Sequence, residues 1–127
     1  MNIVVEWFDE NKHIIIYRFE PRWNWQDLFT AIEAAANLMD EVEHTVNIIL
    51  DVHKSPSIPN LNPVGLQKVA NAPTAKHPNM GVFFMVGAKP YVKTMLDVFG
   101  RIYPKAVQQY KLVNTVEEAV QQITAGA

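Results

Sequence analysis

The chain predicts an α/β fold on a mixed sheet, with its elements in the order ββαβαβαβα. Three observations lead there. Short β-rich runs alternate with longer stretches whose apolar residues recur every three or four positions, and turn-forming residues separate the two kinds. Apolar residues make up 49% of the 127, enough for one core at this size without disulfide staples. No repeat, low-complexity tract or shift of composition divides the chain, so residues 1–127 read as a single domain.

The first two runs, residues 3–8 and 13–19, flank the polar stretch Asp9, Glu10, Asn11 and Lys12, which suits an antiparallel hairpin. In the second run Ile14, Ile16 and Arg18 alternate with Ile15, Tyr17 and Phe19, so one face is apolar throughout and should meet the core, while the other turns polar at its end. A helix follows, with Asn24 as N-cap and Asp27 at the third helical position, near the positive end of the helix dipole. Trp23 and Leu28 hold the two hydrophobic-staple positions around that cap. Trp25, Leu28, Phe29, Ile32, Ala35, Ala36, Met39 and Val42 then form one stripe along about five turns.

Residues 46–52, VNIILDV, read as a strand buried on both faces of a parallel sheet. The segment from His53 to Pro63 inclusive contains three prolines, so neither a continuous helix nor a central strand can occupy it. Asn62 and Pro63 suit the N-cap and first position of a helix through Val64, Leu66, Val69 and Ala70, ending near Asn71 or Ala72 ahead of Pro73 and Pro78. Residues 80–86 are the next buried strand. Pro90 opens a helix with Val92, Met95, Leu96, Phe99, Ile102 and Tyr103 on one face, and Pro104 stops it. Residues 110–113 form a last strand, and Thr115 with Glu118 makes a capping box for a helix that buries Val116, Ala119, Val120 and Ile123. Strands alternating with helices pair in parallel, because a helical crossover packs on the sheet it connects.

Composition removes several functions. Eleven basic against thirteen acidic residues give a net charge of −2, with no general attraction for nucleic acid or an anionic membrane. The absence of cysteine excludes disulfides, thiolate nucleophiles and cysteine-bound metal. No apolar run approaches the roughly 20 residues that span a bilayer. Met1 leads into a strand-like run rather than a signal peptide, so a soluble, cytoplasmic protein is expected. His13, His44, His53 and His77 lack metal-site spacing, and neither a metal nor a cofactor is expected. Gly81 and Gly87 bracket a strand without a nucleotide-binding fingerprint, and Pro90 removes an N–H that a phosphate could use.

Asp51 and His53 stand at the C-terminal end of a predicted parallel strand, the edge where open α/β sheets place ligands. There a carboxylate could orient an imidazole as a general base, with Lys54 or Ser55 nearby; alternatively Asp51 turns the strand end and His53 is solvated. Trp23 and Tyr91, each at a helix start, are the aromatic residues best placed for exposure to a partner. With Asp51, His53, Lys54 and Asn62 they make up a candidate partner or ligand surface around the proline-bearing loop, whose stiffness lowers the entropy lost on docking. The helix from Pro90 could also pack on a second copy, giving a homodimer.

An N-terminal hairpin followed by βα units, the helix spanning positions 25–42, VNIILDV and the TVEEA cap within LVNTVEEAVQQI together resemble the STAS or SpoIIAA-like domains of anti-sigma factor antagonists and related small bacterial proteins. The resemblance covers nearly the whole chain. It implies a SpoIIAA-like mixed sheet, a noncatalytic regulatory or protein-interaction module, and a protein partner in a bacterial cytoplasm. Some such domains receive phosphate on a serine between a strand and the next helix, which points to Ser55 and Ser57 as candidate phosphoacceptors. The segment DVHKSPSIPNLNP has no Asp-Ser-Ser-Gly signature, however, and the two serines precede Asn62 by seven and five residues. Related folds include lipid carriers, so the alternative is a carrier holding a small apolar ligand between the sheet and the helices led by Trp25 and Pro90. An enzyme using Asp51 and His53 is the third reading.

Overall fold

A computed structural model of the chain describes residues 2–55, 63–72, 74, 77–102 and 110–125. Within them lie strands β1 (Ile3–Trp7), β2 (Ile14–Phe19), β3 (Val46–Asp51), β4 (Met80–Val86) and β5 (Tyr110–Val113). Helices α1 (Trp25–Met39), α2 (Pro63–Ala70), α3 (Pro90–Ile102) and α4 (Val116–Ala125) stand between and after them. The strands form one sheet in the spatial order β1-β2-β3-β4-β5. β1 pairs antiparallel with β2, and every later neighbour pairs in parallel, so the architecture is α/β on a mixed sheet.

Local chemistry sets the connections. In the β1–β2 turn the Asp9 carboxylate accepts from the backbone N–H groups of His13 and Ile14, at 2.9 and 3.0 Å, and Lys12 takes a left-handed φ of 58°. At the start of α1 the Asn24 side chain accepts from the Asp27 N–H at 2.8 Å while the Asp27 carboxylate accepts from the Asn24 N–H at 3.1 Å, a reciprocal cap. α4 begins on a looser version: Thr115 Oγ1 accepts from the Glu118 N–H at 3.1 Å, but Glu118 reaches back to the N–H of Asn114 rather than Thr115.

Both faces of the sheet are covered. Ile15, Tyr17, Phe19, Ile48, Leu50 and Phe83 point to the side where α1 contributes Ala31, Ile32, Ala35 and Met39, with Val69 and Ala72 from α2 and its end. Ile14, Ile16, Ile49, Phe84, Val86 and Val113 point to the other side, where α4 supplies Ala119, Val116, Val120 and Ile123. The hairpin strand β2 is thus buried on both faces except at Arg18, which pairs with Glu6 across the hairpin. This exceeds the single buried face that alternation along β2 suggests. The parallel neighbour β3 and the far helix α4 close the second face. Each fully buried Ile contributes about 1.5–3 kcal/mol through apolar area withdrawn from water.

The β3–β4 register shifts between Val46 and Ile48. Asn47 Oδ1 fills the irregularity, accepting from the Val82 N–H at 2.8 Å, and a Cβ at Gly81 would collide with it. Over the α1 face, Phe83 and Tyr110 stack at 4.9 Å. Burial pushes the Tyr110 phenol up to about 12, and it drives Tyr17 further in the same direction, with Tyr110 as a second cause. The Tyr17 hydroxyl and the Trp7 indole nitrogen are buried with no hydrogen-bond partner among the described residues. No described helix is long and apolar enough to cross a membrane.

Candidate functional site

Parallel pairing of β2, β3 and β4 places their C-terminal ends along one edge, and the sequence from Asp51 onward leaves the sheet there. β3 ends at Asp51, yet His53 folds back onto it: the imidazole Nδ1 and the backbone N–H of His53 both meet Asp51 Oδ1, the latter at 3.3 Å. The carboxylate is withdrawn, with its side chain 10% exposed, whereas the ring is 56% exposed. In the tautomer in which the carboxylate accepts from Nδ1 and the ring is neutral, the lone pair is on Nε2. Arg18 lies beside Asp51 in the β2–β3 register, but its guanidinium is taken by Glu6.

Two further contacts fix this edge. The Val52 N–H donates to Val86 O at 3.1 Å, and the Ser55 N–H to Val52 O at 2.9 Å, closing a turn around His53 and Lys54. Gly87, at φ +75°, comes so close that a Cβ on it would lie 2.7 Å from His53 Cβ. Only glycine offers both that backbone conformation and that approach.

Ser55 is 7% exposed, and its Oγ accepts from Trp23 Nε1 at 2.7 Å. Trp23 itself is 8% exposed, packed edge-on against Phe19 at 5.2 Å and Trp25 at 6.0 Å. The expectation of an exposed Trp23 is therefore corrected. The staple position turns the indole inward, and its one polar atom is satisfied by a serine 32 residues away, which no local pattern encodes. Phosphorylating Ser55 requires breaking that contact. Lys54 is exposed. Ser57 and Asn62 lie outside the described residues, and Tyr91 is the second residue of α3, its side chain likewise outside them.

The structure thus brings together Asp51 and His53, and separately Ser55 and Trp23. It does not bring His53 to His77, which precedes β4 and so stands at the opposite end of the parallel strands. Among the described residues no group of three His, Asp or Glu could hold a metal. An open groove of about 350 Å³ lies between α1 and α2, lined by Phe29, Thr30, Ile32, Glu33, Lys68 and Ala72 among others. In the sequence Gly87 reads only as one of two glycines bracketing a strand, not as a neighbour of His53. Its signal, a glycine between a buried strand and a Pro-led helix, was legible, but its partner was not. No protein-family model matches the chain, and no curated protein is a significant match to it.

Proposed function

We propose that the chain is a single-domain, noncatalytic regulatory or protein-interaction module of SpoIIAA-like type, docking a protein in a bacterial cytoplasm through the C-terminal edge of its sheet. The observation that carries this reading is the buried Trp23–Ser55 hydrogen bond. It ties Ser55, at the proposed docking edge, into the core, so that residue is already ordered when a partner arrives and less entropy is lost on docking. The Asp51 carboxylate and the Ser55 hydroxyl are both engaged internally. That use suits an edge built to hold a shape.

The test compares the full chain with Trp23→Phe, which keeps an aromatic ring and removes the indole donor. A partner held by the parent should dissociate at least about tenfold faster from the variant, the loss of one buried hydrogen bond's worth of preorganisation. Equal rates would end the proposal, as would turnover of a substrate that depends on His53. A second reading, the small apolar-ligand carrier, draws on the orphaned Tyr17 hydroxyl and Trp7 indole nitrogen, groups a bound molecule could satisfy. Native mass spectrometry before and after mild denaturation separates the two, since a carrier retains a ligand in the first spectrum and sheds it in the second. The same spectra report whether the chain forms a homodimer.

A further inference from the structure

We propose that His53 is a phosphoryl acceptor, taking phosphate on Nε2 from an N-phosphorylated donor such as the phosphohistidine of a partner protein. Its regulatory meaning rests on the docking reading above; its chemistry does not.

The argument starts from the two ring nitrogens. Asp51 holds the Nδ1 proton, which leaves Nε2 as a nucleophilic lone pair on a ring more than half exposed. The usual role of an Asp–His pair is to activate a neighbouring hydroxyl, but Ser55, the described serine nearest in sequence, accepts from the Trp23 indole. The imidazole itself is left as the reactive atom. Gly87 seats its backbone, and the cations Lys54 and Lys89 are exposed on the segments either side, where an incoming phosphoryl group gains from positive charge.

The other histidines are differently committed. His77 has Nε2 on Asp40 at 2.8 Å and Nδ1 accepting from the Asn79 N–H at 3.1 Å. His44 Nε2 is bonded to Lys12 O at 2.8 Å. His13 is exposed, but its Nδ1 lies 3.7 Å from Asp9, beyond hydrogen-bond range, and its ring packs on His44 at 4.5 Å. Among the described residues only His53 combines exposure with a carboxylate within hydrogen-bond distance of its ring.

In the step itself the Nε2 lone pair forms a bond to phosphorus as the donor's P–N bond breaks. The donor group, protonated before transfer, takes the electron pair of that bond and leaves as neutral ammonia or imidazole. Nδ1 keeps its hydrogen, and the positive charge developing on the ring is shared with the Asp51 carboxylate through a charge-assisted bond. Asp51 is thus a positioning residue and His53 the reacting one.

The full chain is treated with potassium phosphoramidate alone, and the product is read by intact mass and by peptide mapping under alkaline conditions, which preserve P–N bonds. One phosphoryl group on His53 is expected, with no gain in His53→Gln. In Asp51→Asn, labelling of His53 should slow at least about tenfold relative to the parent, with urea denaturation showing that the variant is folded. Label on His13, label spread over all four histidines in the parent, or an unchanged rate in a folded Asp51→Asn overturns the proposal. Reagent and chain suffice for this reaction, so its failure leaves the docking reading standing, and failed docking leaves the chemistry standing.

Discussion

Two histidine–carboxylate pairs occupy opposite ends of the parallel strands, and they are inverted copies of each other. Beside the start of β4, His77 is 12% exposed and its partner Asp40 is 69% exposed. Beyond the end of β3 the histidine is outside and the carboxylate inside. At the first pair both imidazole nitrogens are consumed, and Asn79 next to it clamps the end of α1 through Met39 O and Val42 O at 3.1 and 2.9 Å. Such a histidine is a fastener. At the second pair one nitrogen is held and the other left for solvent, so burial of the carboxylate rather than of the ring separates a reactive arrangement from a structural one.

The comparison can be broken most severely through the seat of His53. Gly87→Ala combines a left-handed backbone with a collision at His53 and should cost about 2–3 kcal/mol, measured by urea denaturation. A substitution tolerated within experimental error would mean that the edge is loose and the inversion without consequence. Alkaline titration tests the core between the two ends. Tyr110 remains protonated in the fold up to about 12, while the unfolded phenol titrates near 10, so the stabilisation is complete below pH 10 and disappears as pH rises through 12. Across that window about 2–3 kcal/mol should be lost, with Tyr17 acting in the same direction, and tyrosinate absorbance should lag the ordinary phenol curve.

Smaller effects sharpen the contrast. His77→Ala should cost about 1–2 kcal/mol because it strands the Asn79 N–H, whereas His53→Gln should stay within about 0.5 kcal/mol, since the exposed ring carries little packing. Equal losses in thermal melts would erase the distinction between fastener and reactive group. Tyr17→Phe removes a buried hydroxyl that has no partner and should leave stability unchanged or raise it by up to about 1 kcal/mol. A marked loss would reveal a partner for that hydroxyl and favour the carrier.

Much of the fold was legible because its signals are local. The Asn24–Asp27 cap, the three- and four-residue spacing of α1 and the unbroken apolar run of β3 each lie within one element and name it without reference to the rest. The strand boundaries moved by a single residue at Phe8, His13 and Val52, where turn hydrogen bonds compete with the ladder. The candidate site was legible only as a list. Asp51 and His53 were named from their place at a strand end, but whether their side chains meet depends on a turn closed by Val52, Val86 and Ser55. Trp23 was read as exposed because it stands at a helix start, off the main apolar stripe, and the serine that receives its indole lies 32 residues away.

By itself, the sequence determined which segments are strands and helices, the lack of cysteine chemistry and the polar character of the β3 edge, since propensity, capping and composition are properties of neighbours along the chain. Tertiary structure alone decided that Trp23 is buried on Ser55, that Gly87 lies against His53, and that one carboxylate–imidazole pair faces inward while the other faces out. Those contacts join residues tens of positions apart, and packing fixes them only once the sheet has brought its strand ends together.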